Sequence, residues 1–106
     1  MRKLIVIPKN KAAERDLAFD KASSEELIEI QLDQVEFDSL WKDGIFLLIN
    51  MVCDTNIDDF EDEHIYDLNL IQKTYDKIKM KYPNQKIIIK AFHFALIYKT
   101  SIHFYF

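Results

Sequence analysis

The spacing of apolar residues separates strand-like from helix-like stretches of this chain. Residues 4–7 form an apolar, mostly β-branched run that Pro8 closes, and residues 27–32 alternate apolar with polar side chains. Both patterns are typical of strands. The final six residues alternate in the same way. The pattern therefore predicts three strands, near residues 2–7, 26–32 and 101–106.

Helical periodicity occupies most of the remaining sequence. Asp33 and Glu36 have the spacing of a capping box, and apolar residues then recur at helical intervals as far as Val52. Asp43-Gly44 is also a hairpin signal, but the apolar spacing favours a helix, with a break at Gly44 as an open alternative. A second amphipathic run ends before a Pro-Asn pair. We predict helices near residues 34–53, 64–82 and 86–98.

The last of these helices has a competing interpretation. Three consecutive isoleucines favour a strand, whereas Lys86, Lys90 and His93 fall at i, i+4 and i+7 and form one polar stripe on a helix. A run of this length without a turn signal is also long for a strand. We expect a helix.

Together these elements predict an α+β fold, in which a small antiparallel sheet packs against two or three helices in a single domain spanning residues 1–106. The apolar fraction of 49% is enough for a core at this length. One glycine and two prolines are too few for the turns of a β-sandwich. Residues 54–63 are acidic and hold few apolar side chains, and we expect them to form an exposed loop.

Charge is strongly segregated along the chain. Residues 14–67 hold 17 of the 18 acidic residues and three bases, a net charge of −14, whereas residues 68–106 hold seven lysines and one acid, a net charge of +6. The first 13 residues add +4, which gives the overall −4. Residues 54–67 are the densest part, with seven carboxylates in fourteen positions. Such a concentration of negative potential attracts a basic partner and speeds its docking.

The acidic stretch does not have the spacing of a calcium-binding EF-hand loop. Its first, third and fifth positions carry suitable ligands, but Asp59 stands where the loop needs glycine and Ile65 where it needs a bidentate glutamate. A weak divalent-ion site at Asp59, Glu63 and His64 is the alternative. We predict a solvated acidic loop without a metal.

Catalytic motifs are missing from the sequence. Gly44 is the only glycine, so there is no glycine-rich phosphate loop. Ser101 lies near His103, but we expect the two side chains to point to opposite faces of their strand, and no acid lies nearby in the sequence to orient the histidine. Cys53 lies in an apolar run without a basic neighbour, which predicts a buried, unreactive thiol. We expect no enzymatic activity and no cofactor.

The sequence also indicates where the protein works. The first residues hold two bases and only four apolar side chains in a row, too few for a signal peptide. No window approaches the 18 apolar residues of a membrane span, and a single cysteine fits a reducing compartment. We expect a cytoplasmic protein without a membrane partner.

Two internal segments and the closing residues carry a family pattern: Glu36-Phe-Asp-Ser-Leu-Trp-Lys-Asp-Gly-Ile-Phe-Leu-Leu-Ile-Asn50, Asn56-Ile-Asp-Asp-Phe-Glu-Asp-Glu-His-Ile65 and Lys99-Thr-Ser-Ile-His-Phe-Tyr-Phe106. This pattern resembles the small acidic immunity proteins of bacterial toxin systems, of the contact-dependent growth inhibition or polymorphic toxin type. The resemblance implies a non-enzymatic inhibitor that binds a cognate toxin domain and keeps the producing cells alive.

The charge pattern and the resemblance together predict a protein-binding surface. Nuclease toxins are often basic, and a loop of carboxylates can occupy a cleft that binds phosphate. Aromatic residues among the carboxylates can supply a buried anchor, although Phe60 could instead pack the loop onto the core. The predicted partner-binding residues are Asp54, Asp58, Asp59, Phe60, Glu61, Asp62, Glu63, Tyr66 and Asp67.

The predicted partner is therefore a cognate, basic, nuclease-like toxin domain rather than a nucleic acid, which the net negative charge and pI of about 5.3 would repel. The alternative function is that of a phage- or mobile-element-encoded nucleic-acid mimic that inhibits a host DNA-binding protein.

Overall fold

A four-stranded antiparallel sheet forms the centre of the molecule. The structure, a computed structural model, describes residues 3–106. In the order in which they lie side by side, the strands are β2 (Leu27–Leu32), β1 (Lys3–Pro8), β4 (Ile102–Tyr105) and β3 (Asp62–Ile65).

All three predicted strands are confirmed, and Arg2, which the first of them included, lies outside the described residues. β3 was not predicted. Three of its four residues are polar or charged, as befits an exposed strand at the edge of a sheet, so its sequence carries little strand signal.

Among residues 3–106, five α-helices and one 3₁₀ turn (Ser24–Glu26) accompany the sheet, and the predicted α+β class is confirmed. The helices are α1 (Lys11–Ala18), α2 (Gln34–Asp43), α3 (Ile45–Cys53), α4 (Leu68–Lys81) and α5 (Lys86–Tyr98). The helical interpretation of residues 86–98 is correct.

Residues 34–53 are helical, but a single continuous helix is wrong and the alternative break at Gly44 is correct. This glycine takes the left-handed conformation, with φ of +85°, and its N–H donates to the carbonyls of Leu40 and Trp41. The predicted capping box at the start of α2 is confirmed. The Glu36 N–H donates to Asp33 Oδ1 (2.7 Å), and the Asp33 N–H donates to Glu36 Oε1 (2.9 Å).

The predicted start of the next helix, at residue 64, is also wrong. Ile65 belongs to β3, where it is buried in the core, and α4 begins only after Asp67. Asp67 Oδ1 accepts hydrogen bonds from the N–H groups of Asn69 (2.9 Å) and Leu70 (3.3 Å). An aspartate that satisfies two free N–H groups fixes a helix start.

The hydrophobic core lies between one face of the sheet and helices α2–α5. Ile5 and Phe104 point from the sheet into it, where Phe104 meets Phe92 of α5 with ring centroids 6.4 Å apart. Phe37, Phe46 and the terminal Phe106 form an aromatic cluster at one end. We call the opposite side of the sheet the open face, because α1 alone among the described helices packs there and covers it only in part.

None of the helices among the described residues has the length and the apolar run that crossing a bilayer requires.

Candidate functional site: an acidic loop and an adjoining cleft

The acidic loop, residues 54–61, connects α3 to β3 and is held in one conformation by α3. Asn50 Oδ1 accepts hydrogen bonds from the Ile57 N–H (2.7 Å) and from Thr55 Oγ1 (2.9 Å), and Asn50 Nδ2 donates to the Ile57 carbonyl (3.2 Å). Ile57 itself is buried in the core. The loop therefore does pack through one apolar residue, contrary to the sequence-based expectation, while most of its side chains stay exposed.

A buried lysine fixes the middle of the loop. Lys3 is only 3% exposed, and its ammonium group pairs with the carboxylate of Asp59 and donates to the carbonyl of Phe106 (3.1 Å). Asp59, predicted as a partner contact, is thus half-buried and already paired within the molecule. The alternation of β1 could have revealed this lysine, because Lys3 lies on the same face as Ile5.

The remaining carboxylates of residues 54–67 have no basic partner among residues 3–106. Residues 3–106 contain two ion pairs, Lys3–Asp59 and Lys11–Glu14, and only the first involves a carboxylate of residues 54–67. Glu61 and Glu63 accept hydrogen bonds from Asn56, which ties the loop to β3 without neutralising it. The lysines after residue 68 do not neutralise the acidic segment.

Phe60 projects from the tip of the acidic loop. Its side chain is 75% exposed, and its φ of +65° lies in the left-handed region that disfavours residues with a Cβ. The ring centroid lies 5.2 Å from Lys3 Nζ, which orients the ring without burying it. The structure therefore does not support the interpretation of Phe60 as a tether in the core.

The predicted site residues fall on more than one surface. Asp54, Asp58 and Glu61 are exposed on the acidic loop, whereas Asp62 and Tyr66 lie on the open face. Glu63 points to the other side of β3, and Asp67 lies beyond β3 as the cap of α4.

Asp62 and Tyr66 border a cleft of about 210 Å³ between the end of α1 and strands β3 and β4. Six further residues, which were not predicted from the sequence to belong to the site, line it with them: Leu17, Ala18, Asp20, His64, His103 and Tyr105. Since α1 is distant in sequence from β3 and β4, only the tertiary fold brings these groups together.

A chain of hydrogen bonds supports the wall of the cleft. His64 Nδ1 lies 2.7 Å from His103 Nδ1, His103 Nε2 lies 2.7 Å from Ser101 Oγ, and Ser101 Oγ lies 3.0 Å from Glu14 Oε2. An ionised carboxylate only accepts, so Ser101 donates to Glu14. His103 Nε2–H must then donate to Ser101, and His64 Nδ1–H to His103. Every bond in the chain is satisfied with both imidazoles neutral.

The expectation that Ser101 and His103 point to opposite faces is wrong. They are two residues apart, and strand side chains two apart share a face. Their contact is nonetheless not a nucleophile–base pair, because the Ser101 hydroxyl donates its hydrogen bond to Glu14 and not to His103, and its side chain is fully buried. The serine oxygen is therefore neither activated nor accessible.

Burial shifts the pKa values of three titrating groups of the cleft. Burial raises the pKa of the Tyr66 phenol, and the negative charge of Glu14 adds to that shift. Burial lowers the pKa of His103 to about 4, with a smaller contribution from the neighbouring His64. It also raises the pKa of the Tyr105 phenol to about 12, and the negative charges of Asp62 and Asp20 add to that shift. At neutral pH the His103 imidazole and the phenols of Tyr66 and Tyr105 are therefore neutral.

Metal binding finds no support in the geometry. In the described part of the chain, no three His, Cys, Asp or Glu side chains lie close enough together to hold a metal ion. The alternative site at Asp59, Glu63 and His64 is not assembled, because Asp59 pairs with Lys3, Glu63 bonds to Asn56, and His64 faces the cleft.

Comparison with known proteins gives one structural likeness. No protein-family model and no curated protein matches this sequence. The fold is similar to that of the Neisseria DNA mimic protein DMP12, with a TM-score of 0.62 and 17% sequence identity over 100% of both chains. At this identity the likeness concerns the fold.

Proposed function

We propose that this protein is a nucleic-acid mimic that binds a DNA-binding protein through its acidic loop. DNA-binding proteins present lysine and arginine side chains to phosphate oxygens. Carboxylates held in fixed positions offer those side chains the same negative charge and hydrogen-bond acceptors. The fold of a protein named as a DNA mimic supports this function over the alternatives.

The observation that carries the proposal is that the acidic loop is ordered by a single internal base. Lys3 holds the Asp59 side chain and Asn50 holds the backbone of Ile57. The side chains of Asp54, Asp58 and Glu61 remain exposed without basic partners among residues 3–106. A loop fixed before binding avoids the entropy cost of ordering it in the complex. Its unpaired charges then attract a basic partner from a distance.

The proposal is tested by capture and displacement. The immobilised protein is exposed to a lysate of the source cell, and bound proteins are released with duplex DNA at constant ionic strength. We expect a DNA-binding protein to be released by DNA, and its association to slow as salt is raised. Asp54→Asn, Asp58→Asn and Glu61→Gln together should reduce its capture at least tenfold.

A matched variant controls for net charge. Glu25→Gln, Asp38→Asn and Asp76→Asn remove the same three charges from exposed positions on other elements, and they should leave capture unchanged. Equal losses in both variants, or a bound protein that DNA cannot displace, would contradict the proposal. Far-UV circular dichroism and urea unfolding establish that both variants are folded.

Toxin immunity is the second candidate function. A nuclease toxin also presents a basic cleft to nucleic acid, and the exposed Phe60 favours a specific protein partner, because an apolar anchor adds an interaction that phosphate does not make. Co-expression with the product of the neighbouring gene tests this function. Rescue of growth that Phe60→Ala abolishes would support immunity, and failure to rescue would count against it.

A further inference from the structure

The cleft on the open face has the composition of a receptor for an organic cation. Two carboxylates, Asp20 and Asp62, border it, and among residues 3–106 no lysine or arginine lines it. Both aspartates are exposed, and neither has an ion-pair partner among the described residues. The last turn of α1 also forms part of the border, and the carbonyl end of a helix carries partial negative charge.

Aromatic rings supply the other walls. The Tyr66 and His103 rings are 5.3 Å apart at 81°, the His64 and Tyr105 rings are 5.7 Å apart at 68°, and the His103 and Tyr105 rings stack with centroids 6.5 Å apart. The faces of the two tyrosine rings attract cations, and a planar guanidinium stacks on them better than an ammonium does.

The walls are in place before any ligand arrives. Glu14, Ser101, His103 and His64 form a continuous hydrogen-bonded chain behind the cleft, and Ser101 and His103 are 0% and 1% exposed. Asp20 adopts a left-handed backbone with φ of +56° at the end of α1, where its N–H donates to the Leu17 carbonyl (3.1 Å). Positions fixed in this way lower the cost of binding.

We propose that this cleft receives one arginine side chain of the protein partner. This inference rests on the proposed function, since DNA-binding proteins expose arginines that would otherwise contact phosphate. The cleft has room for about seven water molecules at ~30 Å³ each, which is enough for a four-atom guanidinium head. The carboxylates accept its N–H groups and the rings cover its faces, so this arginine is the central anchor, and the acidic loop supplies long-range attraction.

The experiment uses three small probes on the whole protein: N-acetyl-arginine amide, N-acetyl-lysine amide and the uncharged isostere N-acetyl-citrulline amide. Binding is followed by NMR through the ring signals of His64, Tyr66 and Tyr105. We expect the arginine probe to shift these signals in a saturable manner and to bind more tightly than either of the others. Equal binding of citrulline would overturn the role of charge, and equal binding of lysine would overturn the assignment to guanidinium.

Variants locate the site. Asp20→Asn and Asp62→Asn should each weaken the arginine probe about fivefold, which corresponds to one partly exposed ion pair. Asp58→Asn, which changes another exposed aspartate, on the acidic loop, should leave the affinity for this probe unchanged. If Asp58→Asn weakened the probe as much as Asp62→Asn, the cleft would not be the site.

The probe experiment needs no partner, so the two proposals can fail separately. If the arginine probe does not bind the cleft while DNA still displaces a protein captured through the acidic loop, this inference is wrong and the proposed function stands. If the probe binds the cleft while substitutions in the acidic loop leave capture unchanged, the proposed function is wrong and the cleft remains a guanidinium site.

Discussion

Protonation of His103 should destabilise the folded protein between neutral pH and pH 5. The side chain is 1% exposed, and its folded-state pKa of about 4 lies below the value of 6.5 for an unperturbed histidine. Between these two values the unfolded chain binds more protons than the folded chain does. The stability that a neutral His103 provides is therefore complete above pH 6.5 and is lost as the pH falls toward 4.

The size of the effect follows from the difference between the two pKa values. Each unit corresponds to 1.36 kcal/mol, so the full difference of about 2.5 units is about 3 kcal/mol. By pH 5, about 2 kcal/mol of that amount should be lost. Most carboxylates remain ionised at pH 5, so this window isolates the histidine.

The hydrogen bonds of His103 also oppose its protonation. His103 Nδ1 accepts from His64 Nδ1–H, and a proton added to His103 Nδ1 would face that hydrogen at a separation of 2.7 Å between the nitrogens. His64 would have to change tautomer first. Protonation of His103 would therefore break the hydrogen bond between the two imidazoles.

Urea unfolding at pH 7 and pH 5 measures the effect. His103→Gln should remove most of the 2 kcal/mol difference between the two pH values, whatever it costs in absolute stability. His93→Gln changes an exposed histidine on α5 and should keep the wild-type difference. Nitrogen NMR should show His103 as the Nε2–H tautomer at pH 6. If the wild-type difference survived in His103→Gln, or if His103 were the Nδ1–H tautomer, protonation of His103 would not be the cause of the pH dependence.

Four further predictions concern the acidic loop and helix α3, which precedes it. Asp59→Asn should lower the free energy of unfolding in urea by about 3 kcal/mol, because it leaves the buried ammonium of Lys3 without an anionic partner. Adding Lys3→Met should recover more than half of that loss. An equal loss in the double variant would contradict the role of the Lys3–Asp59 ion pair. Phe60→Gly should raise the free energy of unfolding by about 1 kcal/mol, because glycine takes the left-handed conformation of this position without strain. It should also weaken capture of the partner. A lower urea midpoint would contradict the predicted gain in stability. Burial raises the pKa of the Cys53 thiol, so a disulfide reagent at pH 8 should modify it only after the protein unfolds. Rapid reaction of the native protein would show that the thiol is accessible to solvent. Gly44→Ala should cost about 1 kcal/mol through backbone strain alone, since its Cβ would meet nothing closer than 3.5 Å; a loss above 3 kcal/mol in urea would point to a clash.

Much of the fold could be predicted from local pattern, because several elements carry their own signals. The capping box at Asp33 and Glu36 marks the start of α2, and the polar stripe of Lys86, Lys90 and His93 reveals α5 despite its three isoleucines. The break at Gly44 needed knowledge of its backbone angle, since an isolated glycine can also continue a helix.

The site was harder to predict because long-range contacts build it. Lys3 and Asp59 meet across 56 residues, and Glu14 and Ser101 across 87. Such pairs leave no periodic trace in the sequence. The contact between Ser101 and His103 was different, because strand alternation alone places residues two apart on the same face, and the opposite expectation misapplied that rule.

The position of β3 adds a second role for some of the acidic residues. β3 lies at the edge of the sheet and pairs with β4 on one side only, so its other side leaves backbone donors and acceptors unpaired. Its residues Asp62, Glu63 and His64 are polar or charged, which opposes the addition of a strand from another chain. Recognition of a partner should therefore proceed through side chains at the acidic loop and the cleft, not through backbone pairing. It also follows that neutralising Asp62 and Glu63 together would expose the edge to self-association, whereas substitutions confined to Asp54, Asp58 and Glu61 change the attraction of a partner and leave the edge protected.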